Sequence, residues 1–332
     1  MPQTAVAYEL IESAVQLACR APSYHNSQPW LWVADGSNLD LYLERDRLVT
    51  TDKSGREALI SCGAVLDHLR VAMAAAGWRA IVDYFPNPNK HTHLASIDFT
   101  EMPFVTEGHR LRADAILRRR TDRLPFAPVP DWTALEDLLR RAIDDDGAVM
   151  DVLGDDARPQ LAEASQLTEA LRLYDSPYHQ ELSWWTSPFD VSDGIPQSAL
   201  VSAAESDRVD VGRSFPVTRH PERRLEVPED RSQIVALSAL ADTHDDILRC
   251  GEALSAVLLE ATLAGMATCT LTHLTEVAAS RDIVGGLIGR SHPQALIRIG
   301  LAPALDEVPP PTPRRPLSDV LHLRLQESKG AL

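Results

Sequence analysis

The sequence predicts an α+β protein in which two diverged halves, fused in one chain, pack against each other as the two subunits of a homodimer would. Each half is expected to hold a mixed β-sheet flanked by helices, with one long central helix. Two observations predict this. Helix-period and strand-period apolar patterns alternate along the chain, and one helical segment recurs in the second half.

In order, residues 6–20 space their apolar side chains as a helix does, and Pro22 stops it. The runs 31–34 and 39–44 alternate as strands about the turn signal Asp35-Gly36-Ser37-Asn38, which predicts a hairpin. Residues 55–76 read as a long alanine-rich helix ending at Gly77, followed by a strand closed by Pro86 and another at 94–99. Further helices are expected near 107–118, 131–146, 156–174 and 243–264, and strands near 148–153 and 294–301. The halves divide at 105/106, giving 1–105 and 106–332. Two stretches of the second half carry no regular pattern. Residues 175–243 are rich in Pro, Ser and charge, with aromatics at Tyr178, Trp184, Trp185, Phe189 and Phe215, and suggest a lid anchored by its tryptophans and Phe189. The tail 303–332 contains Pro309–Pro316 (PPPTPRRP), which must be extended and reads as a reaching arm.

The recurrence lies between CGAVLDHLRVAMAAAG at 62–77 and CGEALSAVLLEATLAG at 250–265, identical at five of sixteen positions and opened by Cys-Gly in both. A helix leads to a strand upstream of each copy, and a strand follows a turn downstream of each. A duplicated unit predicts a pseudo-two-fold arrangement with its site where the halves meet, and therefore a monomer.

A formal charge of −16 and a pI near 5.1 argue against a general binder of nucleic acid, so any phosphate must be met by local arginines. Cys19, Cys62, Cys250 and Cys269 have no CxxC spacing and sit in apolar runs, as buried free thiols do. With no leader pattern and no apolar run approaching the ~20 residues of a bilayer span, a cytoplasmic protein without a membrane partner is expected. GxxxxGK, HExxH and GxSxG are all absent, and Gly285-Gly286…Gly289 is not GxGxxG, so no metal site is expected.

Chemistry concentrates in two places. Between Pro22 and Pro29, Ser23, Tyr24, His25, Asn26 and Gln28 are crowded into a loop that the prolines stiffen. Arg118, Arg119, Arg120, Thr121, Asp122 and Arg123 put adjacent guanidinium groups into an acidic chain, where they repel unless an anion or carboxylates meet them; a phosphate suits their forked geometry. Arg314-Arg315 forms a third basic patch.

The pattern APSxxNxQPW at 21–30, RRxxR before Pro-Phe at 119–126, and TPRRPLSDV at 312–320 resemble the FMN-dependent nitroreductase superfamily, most closely its Acg-type mycobacterial branch, over essentially the whole chain. The resemblance implies a nitroreductase-like fold with one FMN at the interface of the halves. Arg119, Arg120, Thr121, Arg123 and Arg314 would bind its phosphate, Ser23, Tyr24, His25, Asn26 and Gln28 would line the flavin and its entrance, and the segment through Thr272 would pass the reactive edge of the ring. It further implies NAD(P)H as electron donor and a small nitro or quinone acceptor, with no catalytic side chain named. The usual serine is replaced by Thr121. The competing expectation is a flavin store in which 175–243 closes the site; a scaffold protein using the proline-rich arm is a third possibility, and it would carry no flavin.

Overall fold

The computed structural model describes residues 5–143, 147–187, 193–305 and 309–324. Helix α1 (Tyr8–Ala18) leads through the Pro22–Pro29 loop to the hairpin β1 (Trp30–Asp35) and β2 (Asn38–Leu43), then α2 (Arg56–Ala75), β3 (Trp78–Tyr84) and β4 (His93–Glu101). Next come α3 (Glu107–Arg118), α4 (Trp132–Ala142), β5 (Val149–Leu153), α5 (Arg158–Arg172), α6 (Ser176–Trp185) and α7 (Ala203–Asp207). The chain ends with β6 (Gln233–Ser238), α8 (His244–Leu263), β7 (Ala267–Leu271), α9 (His273–Glu276), α10 (Ala278–Ile288), β8 (Pro293–Gly300), α11 (Leu317–Val320) and β9 (Leu321–Leu323).

Two sheets result, ordered β3-β4-β2-β1-β9 and β5-β6-β8-β7. All pairs are antiparallel except β1 with β9, which run parallel and align Trp32 with Leu321. The predicted hairpin forms with Gly36 at φ +63°, as a two-residue turn between twisted strands requires.

Between the sheets α2 and α8 cross at their recurrent Cys-Gly pairs. A Cβ on Gly63 would lie 1.9 Å from the Leu248 carbonyl oxygen, and one on Gly251 would lie 2.2 Å from that of Ile60. Each glycine thus meets the backbone three residues before the other, so the two helices approach to main-chain contact in a reciprocal manner. Leu66, Leu69, Leu254 and Val257 pack around the crossing in one core shared with both sheets, each fully buried aliphatic contributing on the order of 1.5–3 kcal/mol.

Several expectations change. Helix α2 alone is 20 residues long with a mean hydropathy of 1.4, enough by length and composition to cross a bilayer, contrary to the sequence expectation. It is instead a core helix, with 16 of its residues buried. The stretch 175–243 holds α6, α7 and β6, a central strand of the second sheet. Its Pro/Ser-rich lead-in and the doubly buried Ile234–Ser238 run mask the alternation that marks a strand. Of its expected anchors, Tyr178 and Trp185 are buried, Trp184 is 60% exposed, and Phe189 lies outside the described residues. Residues 321–323, from the segment assigned by sequence to the second half, complete the first sheet. All four cysteines are free and buried.

Candidate functional site

A cavity of about 800 Å³ opens where the Pro22–Pro29 loop, the start of α2, residues 119–124, the β7–α9 junction and the proline-rich arm converge. Ser23, Tyr24, His25 and Asn26 line it from one side; Arg119, Arg120, Thr121, Arg123, Thr272 and Arg314 line it from others. Asn26 and Arg120 therefore share one cleft. Gln28 is the exception among the sequence candidates. It is fully buried, donates from Nε2 to the Asn26 carbonyl at 3.2 Å and accepts the Arg315 amide at 2.9 Å, so it braces the loop instead of facing the cavity.

The loop is built under strain. His25, Asn26 and Gln28 all have positive φ, at +51°, +60° and +51°, a region uncommon for residues other than glycine, which Asn and His enter more readily than Gln. What holds them there is a set of bonds from distant segments. The Tyr24 amide donates to Ser61 Oγ at 3.0 Å, and the Asn26 side chain donates to the carbonyls of Gly194 (3.0 Å) and Pro313 (3.2 Å). Arg47 reaches the Ser27 carbonyl at 2.9 Å.

At the arm end, Arg20, Arg119 and Arg314 cluster. Their described hydrogen bonds all run to backbone carbonyls: Arg20 to Thr312, Arg119 to Arg20, and Arg314 to Cys19, Arg20, Ala21, Thr312 and Pro313. Burial and then Arg20 pull the Arg119 pKa down to about 10; burial and then Arg20 and Arg119 pull that of Arg314 down to about 9. A guanidinium keeps its proton in a protein, so these depressions measure cationic charge that no described carboxylate meets. The Arg119 Nε is also buried without a partner. Such a donor set fits a phosphate dianion. Residue 121 enters this region because it bridges Thr268 beside β7, and the Asp122 amide donates to the Thr268 carbonyl at 3.0 Å.

The opposite end is differently charged. Arg213 pairs with Glu276, which also meets Arg172 at 3.0 Å. Burial opposes the charge on Glu276, but Arg213 and Arg172 outweigh it and hold the carboxyl down at about 2. Burial and then Arg213 push His25 well below its ordinary pKa, and burial and then Arg213 push His273 down to about 3, so both imidazoles are neutral at pH 7. Arg123 lies 4.9 Å from the centre of the Phe215 ring, which meets His25 edge-on. Thr272 Oγ1 donates to Glu276 at 2.8 Å. Sequence reading missed Arg20, Glu57, Arg213 and Glu276. Arg20 stands next to the 21–30 motif and could have been found there; the others are isolated residues that only the fold brings in.

No family model matches the chain. A relative from Mycobacterium tuberculosis (strain H37Rv) named "Putative NAD(P)H nitroreductase acg" is 61% identical over 331 residues, 99% of this chain and 100% of the relative. Another from the same strain, "Putative NAD(P)H nitroreductase Rv3131", is 36% identical and covers 94% of this chain and 91% of its own length. Among solved structures, a "putative nitroreductase" from Anabaena variabilis aligns with a TM-score of 0.47 at 10% identity over 88% of this chain and 73% of its own. The FMN-dependent nitroreductase NfnB from Mycobacterium smegmatis, in complex with NADPH, aligns at 0.39 and 18% identity over 64% and 97%. By its full-length similarity to the first relative, the chain belongs to the nitroreductase superfamily, in its Acg-type branch.

Proposed function

We propose that the chain is an FMN-dependent oxidoreductase that holds one flavin in this cavity and passes hydride from NAD(P)H to a small nitro or quinone acceptor. The observation that carries this reading is the unmet cluster Arg20–Arg119–Arg314 facing the same cavity as the strained 23–26 loop. Its size lies in the range of roughly 300–1,000 Å³ usual for cofactor sites. Arg119, Arg120, Thr121 and Arg314 would hold the phosphate, and Ser23, Tyr24, His25 and Asn26 with Thr272 would border the ring. Bound FMN supplies the hydride-accepting and hydride-donating chemistry; the protein supplies orientation and charge. Arg213 and Arg123 leave the ring end cationic, and neutral His25 adds a donor or acceptor without charge.

In this reading the segments 1–105 and 106–332 are the diverged halves, each keeping the half-site that the other lacks, and the molecule works as a monomer with one flavin. The reciprocal glycine crossing of α2 and α8 supports it. Steady-state oxidation of NAD(P)H with a quinone or nitro acceptor tests the function, with turnover above that of free FMN expected.

A second reading, flavin storage, is favoured by how tightly the described residues of 176–200 are fastened down. The Glu181 carboxylate accepts the Thr50 and Thr51 amides (2.5 and 3.0 Å), Asp193 pairs with Arg47 at 2.5 Å, Gly194 holds Asn26, and the Ala199 carbonyl accepts from Arg123 at 3.2 Å. Tight FMN with no turnover would select storage.

A further inference from the structure

We propose that Glu57 is the proton donor for the reduction carried out in this cavity, with Asp52 holding its carboxyl group in place; this rests on the oxidoreductase reading above. Glu57 lies in the first turn of α2, lines the cavity with Tyr24 and Ser61, and is only 4% exposed. The carboxyl of Asp52, itself 7% exposed, lies beside that of Glu57, which also pairs with the Arg56 guanidinium. Asp52 Oδ2 already accepts the Ala58 amide at 2.9 Å, while the buried Oδ1 meets no N–H donor among the described residues. In this proposal the two buried carboxyl groups share one proton, which the pair stores beside the cavity.

The surroundings keep it there. Burial first, then the carboxylates of Asp52 and Glu276, hold Glu57 well above the ordinary carboxylic range against the pull of Arg56, which pairs with it; Tyr24, another titratable neighbour, is held neutral, mainly by burial. Asp52 alone already caps the start of α2, so the second buried carboxyl adds repulsion that helix capping does not need.

The chemistry needs this proton. A hydride from NAD(P)H brings two electrons and one proton; a quinone becomes a hydroquinone only with one more proton on oxygen, so NAD(P)H, quinone and H⁺ give NAD(P)⁺ and hydroquinone. The Glu57 O–H bond breaks, the new O–H bond forms on the acceptor, and the carboxylate left behind regains a proton from water.

The test compares wild type with Glu57→Gln and Glu57→Asp in the flavin-loaded enzyme. Infrared spectroscopy at neutral pH should show, in wild type with or without flavin, a C=O stretch of a protonated buried carboxyl that is lost in Glu57→Gln. With FMN content and the KM for NAD(P)H retained, kcat for quinone reduction should fall about 10²-fold in Glu57→Gln and recover in part in Glu57→Asp, and the alkaline limb of the pH profile should disappear in Glu57→Gln. A purely structural Glu57 would leave that limb unmoved. A protonated-carboxyl band absent from wild type, or wild-type kcat in flavin-replete Glu57→Gln, overturns the proposal while leaving the oxidoreductase reading intact. Wild-type protein that purifies without flavin and does not take it up overturns both. Should Glu57→Gln not fold, the wild-type band and the Glu57→Asp rate still decide.

Discussion

At the scale of single residues, the site depends on guanidinium groups whose charge is unmet in the protein alone. Replacing Arg119 or Arg314 with Ala removes a charge-assisted bond to phosphate of about 1.5–3 kcal/mol, which lowers flavin affinity roughly 10- to 100-fold; flavin retained through gel filtration at wild-type stoichiometry would contradict this. Inorganic phosphate should raise the Tm of flavin-free protein by mass action, and Arg314→Ala should blunt that rise. Buried histidines add a pH dependence. His25, His68 and His273 all have depressed folded-state values, His273 at about 3 and each mainly through burial, so below the unfolded value of 6.5 the unfolded chain binds more protons than the native one. Their contribution is complete above pH 6.5 and is lost as pH falls toward 3. In thermal melts between pH 7.5 and 5, the Tm of wild type should fall with acid relative to that of His273→Gln. The Pro22–Pro29 loop was legible in sequence because its functional groups are contiguous. Glu57, Arg213 and Glu276 were not, because each is one polar residue in an otherwise ordinary element.

At the scale of elements, the crossing of α2 and α8 is the most demanding contact. Gly63→Ala and Gly251→Ala each drive a methyl into backbone, which cannot move aside as a side-chain tip can, so each should cost on the order of 3 kcal/mol in urea denaturation. Gly286, inside α10 with open space where a Cβ would sit, is the control. Alanine there should be neutral or stabilising by up to about 1 kcal/mol through helix propensity alone. The long helices were legible from their period and their terminal glycines. Strands β6 and β7 were not: they are six and five residues long, and β6 is buried on both faces, so no alternation marks it. Helix α6 hides for another reason. Its start is capped by Asp175 and Pro177, signals that a loop also carries.

At the scale of the whole molecule, the arm joins what the sequence separates. It leaves β8 in the second sheet, passes Arg314 into the cluster and Arg315 onto Glu44 at 2.6 Å, and ends as β9 beside β1. A chain cut after Pro303 should therefore lose both flavin and part of its first sheet, seen as absent colour and a lower Tm, and the intact chain should release about one FMN on heating. The motifs at 21–30 and 119–123 named residues that line one cavity; the return of residues 321–323 to the first sheet was not legible, since a three-residue strand has no pattern of its own. That return also sets an order of events during synthesis. Strand β1 leaves the ribosome early, yet its parallel neighbour emerges only after some 285 further residues have been made. Until then the edge of β1 stays open to pairing with other nascent chains, so the protein's yield in the cell should depend on chaperones that shield this edge while translation runs to its end.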